Sequence, residues 1–276
     1  MDKNSVKRLN QILIRPESPD KPYYVLLVGL DSRGSASRGS ASHSSASRSP
    51  SNGSEGCSDT IILARIDPVA PAVSLLSIPR DARVIFEENG AQRTDAAFSY
   101  SDPPDAVRVV SGLCDVEIAH FVEIDFEGMA KLVDRLGGVD AKIPVEISLG
   151  KDLIPAGNQH LDGHQALVMI RCRNYPDGDC QRMKNLVILL QAIARKVQSA
   201  GKLQLPGLIS KLTGCIKMDM SVIEAIQLMQ RFRGMDVKKS LSLAAMPSRL
   251  VDISGVSSFE VDGRELITVM AGFKKG

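Results

Sequence analysis

Tryptophan is absent from this 276-residue chain, and only 4 tyrosines and 7 phenylalanines supply aromatic rings. That scarcity argues against a carbohydrate cleft lined with stacking rings. It also argues against a base-stacking surface, so nucleic acid is excluded as a partner. Charge of one sign is missing as well: 34 lysines and arginines stand against 32 aspartates and glutamates. No global field selects a partner, and basic residues matter only where they cluster. No apolar run is long enough to cross a bilayer and no secretory leader is visible, so the chain reads either as cytoplasmic or as a soluble part separated from an anchor. Neither a GxxxxGK[ST] phosphate loop nor a Ser/His/Asp hydrolase elbow occurs.

The five cysteines, at 57, 114, 172, 180 and 215, form no CxxC pair and no zinc spacing. Cys172 and Cys180 stand at a separation that a disulfide can close, and Cys114 with Cys215 would make a second bridge. Five free thiols is the alternative, and the odd count leaves the redox compartment open. Histidine offers little. His160 and His164 are four residues apart, but a helix start at Asp162 puts them in different elements, and His120 reads as a packing or surface residue before a strand.

What is present is an alternation of strands and helices. Tyr23 to Gly29 is a continuous apolar run, the mark of a buried central strand. From Gly34 to Gly56 the composition collapses to Ser, Ala, Gly and Arg, a flexible insertion given no structure (34–56). Strands resume over Thr60–Ile66 and Val73–Ile78, read as a hairpin, and again at Phe121–Ile124 and Leu241–Ala245. Helices are expected over Asp105–Leu113, Phe126–Leu136 (stopped by Gly137-Gly138), Asp162–Arg173, Asp179–Ser199, Pro206–Leu212, Ser221–Phe232 and from Gly263 onward. Val139–Ile147 reads as extended. The pattern implies one α/β/α sandwich with a mixed central sheet: a lead-in over 1–22 and a single domain over 23–276.

Three polar clusters stand at the ends of these elements: Asp31 with Arg33, Asp59 with Arg80 and Asp81, and Arg171, Arg173, Asp177, Asp179 and Arg182 around Pro176 and Gly178. In open α/β sheets, charged groups beyond strand ends line the ligand crevice. If the first two strands are antiparallel neighbours, Asp31 and Asp59 meet at one edge. Two carboxylates and little else suit Mg²⁺, which completes its shell with water and phosphate oxygens. Arginine is the side chain best shaped for a bidentate grip on phosphate, and three crowded guanidiniums favour a polyanion between them. The alternative is a charged turn whose arginines pair with their own aspartates. Together the clusters read as a metal and arginine clamp for a pyrophosphate.

In chain order, Val25-Leu-Leu-Val-Gly-Leu-Asp-Ser-Arg33, Ser58-Asp59-Thr60, Ser77-Ile-Pro-Arg-Asp81, Leu132-Val-Asp-Arg-Leu-Gly-Gly-Val-Asp140, Gly157-Asn-Gln-His-Leu-Asp-Gly163 with Gln165-Ala166-Leu167, and Arg171-Cys-Arg173 leading to Asp179 and Arg182 resemble the LytR–CpsA–Psr family of cell-envelope glycopolymer transferases. The resemblance implies an enzyme that moves a glycan phosphate from a polyprenyl-pyrophosphate carrier to a cell-wall acceptor, with the lipid tail in an apolar channel. It implies Asp31 and Asp59 as magnesium ligands, and Arg80, Arg171, Arg173 and Arg182 as the pyrophosphate clamp, with Arg33 beside them. Asp81 and Asp179 would orient arginines or help to deprotonate the acceptor. It also implies a membrane anchor outside the chain, a site on the extracellular face of the bacterial membrane, and conditions that favour a disulfide.

Three departures stand out. Cys57 replaces the arginine usual before Ser-Asp-Thr, Asn185-Leu186 replaces Arg-Gln on the helix after the clamp (with Lys184 as a partial substitute), and the serine-rich insertion swells the loop between the aspartates. Each lost arginine removes a charge-assisted contact of roughly 1.5–3 kcal/mol where it faces phosphate. Slow turnover, a different phosphate pattern, a relative that binds polyprenyl pyrophosphate without transfer, and a pyrophosphatase are the alternatives this raises.

Overall fold

The computed structural model describes residues 3–30, 58–79, 83–86, 90–93, 103–175, 179–201, 204–212, 214–253 and 256–276. The first half runs α1 (Lys3–Ile12), β1 (Tyr23–Leu30), β2 (Ser58–Asp67), β3 (Ala72–Ile78), β4 (Arg83–Phe86), β5 (Gly90–Arg93), α2 (Pro103–Cys114), β6 (Ile118–Asp125) and α3 (Phe126–Arg135). Four short strands follow, β7 (Val139–Ile143), β8 (Ile147–Leu149), β9 (Asp152–Ile154) and β10 (Gly157–Leu161), then α4 (Gly163–Arg171) and the long α5 (Asp179–Ser199). The chain closes with α6 (Leu205–Leu212), β11 (Lys217–Met218), α7 (Val222–Arg231), α8 (Val237–Ser240), β12 (Leu241–Ala245), β13 (Ser248–Ile253), β14 (Val256–Val261) and α9 (Gly263–Lys275).

Six strands form the central sheet in the order β11-β6-β1-β2-β3-β12. β1 pairs parallel to β6 and antiparallel to β2, and β12 is parallel to β3, so the sheet is mixed as the alternation implied. Successive side chains of a strand point to opposite faces. Val25, Ile62, Ala64 and Leu75 therefore join one buried cluster with residues of α3 to α7. Leu26, Ile61, Leu63 and Leu76 join another with α1, α2 and α9. A register shift between Tyr24 and Val25 sets His120 opposite Val25 and edge-on to the Tyr23 ring at 5.6 Å, while Ile118 stays with the second cluster.

The expected extended segment 139–147 divides into β7 and β8 because Pro144, with no N–H and a fixed φ, interrupts the ladder. β11 and the β13–β14 hairpin were not expected: a two-residue edge strand exists only because its neighbour does. Both proposed disulfides fail. Cys114 belongs to the second cluster and Cys215 to the first, on opposite faces of the sheet, and both are free thiols. Cys172 is also free, its thiol turned inward onto the carbonyl of Ser148 at 3.3 Å. Cys57, the side chain of Cys180 and the insertion 34–56 lie outside the described residues.

The lead-in is part of the packed body. Leu9 and Leu13 of the first helical segment are buried in the second cluster. Behind them Arg15 reaches Asp219 at 2.6 Å, whose carboxylate also meets His120 Nδ1 at 3.1 Å and accepts the Phe121 N–H at 2.6 Å. Burial alone would raise the Asp219 pKa; the His120 and Phe121 hydrogen bonds and the charges of His120 and Arg15 outweigh it and hold it below the usual carboxylate range. Among the described residues no helix is long and apolar enough to cross a membrane.

Candidate functional site

The site is built where β1 ends and β2 begins. Leu30, the residue before Asp31, pairs with Ser58, the residue before Asp59, so the strands are the antiparallel neighbours the paired-carboxylate reading requires. Gly29 lies opposite Thr60, and a Cβ there would stand 3.2 Å from the Thr60 Cβ, tighter than side chains normally pack. Thr60 Oγ1 accepts a 2.9 Å hydrogen bond from Nη1 of Arg182, which sits in the first turn of α5 and is 4% exposed.

The second guanidinium arrives from α4. This helix starts at a capping box between Asp162 and Gln165 and ends on Arg171, a cation at the negative end of the helix. The Arg171 guanidinium carbon lies 4.5 Å from the centroid of the Phe126 ring, a cation–π contact. Phe126 is itself placed by Asp125, the α3 N-cap, whose carboxylate accepts the Gly128 N–H at 2.6 Å.

Beneath Arg182 and Thr60 lies a cavity of about 200 Å³ lined by Leu27, Ile62, Val122, Phe126, Leu186 and Leu190. A second cavity of about 250 Å³ shares Leu190 and Ile193 with it and continues along the same sheet face to Ile66, Phe232 and Arg233. From Thr60 to Ile66 the strand advances six residues, roughly 20 Å at about 3.3 Å per residue. The two nearly wholly apolar cavities thus lie end to end along one face of the sheet, sharing Leu190 and Ile193, with a guanidinium at the head of the first.

Asn185 does not stand in for the family's arginine. It is 1% exposed, donating to the Tyr175 hydroxyl at 3.1 Å and the Met169 carbonyl at 3.4 Å, and accepting from Gln181 at 3.1 Å. Burial and the Cys172 thiol push the Tyr175 hydroxyl up to about 12, so it stays a neutral partner. The amide thus ties α5 to the end of α4 and to the segment between them. Asn185→Ala is expected to lower stability by about 1–3 kcal/mol, because buried polar partners are left unsatisfied. Restoring the family residue with Asn185→Arg should cost at least as much, since a charge has no room at that depth. Urea unfolding reads both, and wild-type stability in Asn185→Arg would contradict this account.

Of the clamp residues expected from sequence, Arg182 lines the head of the first cavity, and Arg171 stands over Phe126, a residue of the same cavity wall. Arg173 is exposed, two residues beyond the end of α4. Lys184 is exposed on α5, about 200° around the helix from Arg182, and does not join it. Asp31, Arg33, Arg80 and Asp81 lie outside the described residues, as do the side chains of Asp59 and Asp179. Among the described residues no group of three or more His, Cys, Asp or Glu side chains is placed to hold a metal. His160 and His164 fall on β10 and α4 and pair with different aspartates, Asp140 and Asp152. Sequence reasoning did not single out Thr60, Phe126 or Tyr175. Thr60 lay in the Ser-Asp-Thr piece, whereas nothing in the sequence marked Phe126 as the seat of a guanidinium.

The model of the LytR_cpsA_psr family matches residues 1–275. The chain belongs to this family. It is 25% identical over 262 residues to the polyisoprenyl-teichoic acid–peptidoglycan teichoic acid transferase TagV of Bacillus subtilis strain 168, covering 90% of this chain and 63% of that protein. The crystal structure of B. subtilis TagV superposes with a TM-score of 0.78 at 22% identity, covering 94% of this chain and 98% of the solved chain. The structure of TagT bound to LI-WTA superposes with a TM-score of 0.74 at 23% identity, covering 95% and 93%. These superpositions establish the family fold. The chain spans a little under two thirds of the length of the curated relatives it matches.

Proposed function

We propose that this family member transfers a glycopolymer from a polyprenyl-pyrophosphate carrier to a cell-wall acceptor, a peptidoglycan or surface-protein glycan. The observation that carries the reading is the pair of adjoining apolar cavities, the first headed by the buried Arg182 and walled by Phe126, over which Arg171 stands. An anion with a long hydrocarbon tail matches both parts. The name of TagV, a polyisoprenyl-teichoic acid–peptidoglycan teichoic acid transferase, points the same way.

In this reading the tail lies along Leu27, Ile62, Val122 and Leu190 while arginines hold the pyrophosphate at the head of the first cavity. The acceptor hydroxyl oxygen attacks the glycan-side phosphorus. A new P–O bond forms, the bridging P–O bond breaks, and polyprenyl phosphate leaves. The hydroxyl proton passes to a carboxylate, for which Asp81 and Asp179 are the candidates. Arg171 and Arg182 neutralise charge building on the transferred and departing phosphates. Asp31 and Asp59 each follow one of the paired residues Leu30 and Ser58; two carboxylates are donors of the kind Mg²⁺ takes, and a metal held by them would supply further neutralisation of the pyrophosphate. The working place proposed is the extracellular face of the bacterial membrane, reached through an anchor outside this chain.

The inward-turned Asn185 favours one second reading, a relative that binds the carrier without transferring from it. Incubation with lipid-linked glycan, Mg²⁺ and wall acceptor separates the two, because only a transferase releases polyprenyl phosphate in step with modified acceptor. Release without acceptor would mark a pyrophosphatase. Arg171→Ala is expected to reduce transfer by about two orders of magnitude with the fold retained; full activity in that variant would sink the assignment.

A further inference from the structure

Helix α7 is held at its ends more than along its body. Of its residues only Ala225 is buried. Leu228 and Met229 line the second cavity together with Val197 of α5, so that side of α7 borders a void. Side chains against a void lose the dispersion that packed neighbours would give. A helix of 10 residues is also too short to be stable by itself. The ends compensate. Ser221 and Glu224 close a capping box at the start of α7, and two residues earlier the wholly buried Asp219 carboxylate meets Arg15 Nη2 at 2.6 Å. At the other end Arg231 donates through Nη1 to Asp20 Oδ1 at 2.5 Å and to the Pro19 carbonyl at 3.1 Å.

Both ties run to the lead-in, and the lead-in there is stiff. Pro16 and Pro19 fix their own φ, and the Lys21 N–H closes a turn onto the Ser18 carbonyl at 3.1 Å. It is also fastened to the sheet: the Ile14 N–H is donated to the Ile118 carbonyl at 3.0 Å, and Arg15 Nη1 to that of Ala119 at 2.8 Å. Past α7, Gln198 of α5 holds the Phe232 and Met235 carbonyls at 2.8 and 3.4 Å. Between those two residues Gly234 adopts φ +92°, a conformation open to glycine. The chain beyond α7 is thus a fixed pivot.

We propose that α7 is a movable cover over the second cavity and that the lead-in is the strap that holds it shut. The cover swings on the segment after Phe232, and its release requires the lead-in to let go of Asp219 and Arg231. The two ties differ in strength. Separating Arg15 from Asp219 strands a buried charge, so this tie sets the closed position. The Arg231–Asp20 pair is exposed and adds less. Any displacement of the lead-in is thereby passed to the wall of a cavity that α1 itself does not touch. The coupling does not depend on the transfer reading, and its test needs no transfer.

The experiment is amide hydrogen exchange of the full chain, read by mass spectrometry in α7 and, as the internal reference, in β1 and β2. Arg15→Met should speed exchange in α7 by roughly tenfold or more, and Arg231→Met by roughly threefold or more, with β1 and β2 within twofold of wild type. Asp20→Asn should match Arg231→Met, and the two together should do no more than either alone, because they remove one tie. Lys21→Met, which breaks the Lys21–Glu17 pair inside the strap, should leave α7 unchanged. Uncovering is read separately from unfolding in place by Val197→Cys, a position that lines the second cavity only. Its alkylation, followed in that peptide, should be roughly threefold faster or more when Arg231→Met is added. If Arg15→Met does not fold, Arg231→Met decides alone. The proposal is overturned if α7 exchange rises less than threefold in the folded tie variants, or if β1 and β2 speed up equally. It is equally overturned if Lys21→Met acts like Arg231→Met, or if α7 exchanges faster while Cys at 197 is alkylated at the unmodified rate.

Discussion

Arg182→Met is expected to lower kcat/KM for the proposed transfer by about 10²–10³-fold, equivalent to roughly 2.7–4 kcal/mol of transition-state stabilisation. Several features of its placement set that scale. The guanidinium is 4% exposed, so its charge acts where water screens it little, and it closes the head of the first apolar cavity. Its hydrogen bond to Thr60 at 2.9 Å fixes its direction. Methionine keeps much of the side chain's volume, which separates loss of charge from loss of packing. Thr60→Val is the matching control: it deletes the hydroxyl and leaves the charge, and should cost less than tenfold. Steady-state transfer with both variants, alongside their melting temperatures, tests the contrast. If Arg182→Met stays within tenfold of wild type, Arg182 is a structural strut and the pyrophosphate is held elsewhere.

Gly163→Ala is expected to be the most destabilising of the single-methyl changes considered, by about 3 kcal/mol or more. Its Cβ would fall 2.4 Å from the Ala130 carbonyl oxygen and 2.6 Å from Oδ2 of Asp134, and the first of these is backbone inside α3. The same glycine donates its N–H to Asp134 Oδ1 at 2.7 Å, so moving the helices apart also breaks the bond that joins them. A fall in melting temperature of about 6–12 °C follows for a chain of this size. Gly112→Ala in α2, where nothing lies within 4 Å of the added methyl, should be neutral or slightly stabilising. A Gly163→Ala protein that melts within 2 °C of wild type would refute this account of the helix contact.

That contact changes the meaning of two pieces of the family resemblance. Asp134 and Gly163 sit in motifs that could be taken for functional signatures, yet in the fold they hold α3 against α4. Their effect on the site is indirect. α3 begins with Phe126 and α4 ends with Arg171, so the Asp134–Gly163 junction bears on where that guanidinium stands over its ring. Asn185 and Tyr175 do similar work on the far side of the loop.

Much of this was legible in one dimension. Continuous apolar runs bounded by charge marked the central strands, because a strand buried on both faces has no polar positions to give. The cap at Asp162 and the stop at Gly137 marked helix ends through backbone needs that local residues meet, and Gly137 adopts φ +73° accordingly. The arginine cluster around 171–182 pointed to an anion, because guanidiniums repel unless something lies between them, and the bound anion remains part of the proposed function. The fold class and the family thus followed from local pattern.

Placement required the tertiary structure. Sequence could not tell that Arg182 is buried against Thr60, 122 positions away, while Lys184 two residues on faces solvent. It could not tell that Asn185 turns inward, nor that Cys114 and Cys215 lie on opposite faces of the sheet. The family resemblance implied an apolar channel but not which residues wall it; the cavities are walled from β1, β2, β6 and α5, with Arg182 on the first and Arg233 on the second. Periodicity and capping are interactions within a few residues. A cavity is a property of surfaces brought together from distant parts of the chain, and only packing decides where they fail to meet.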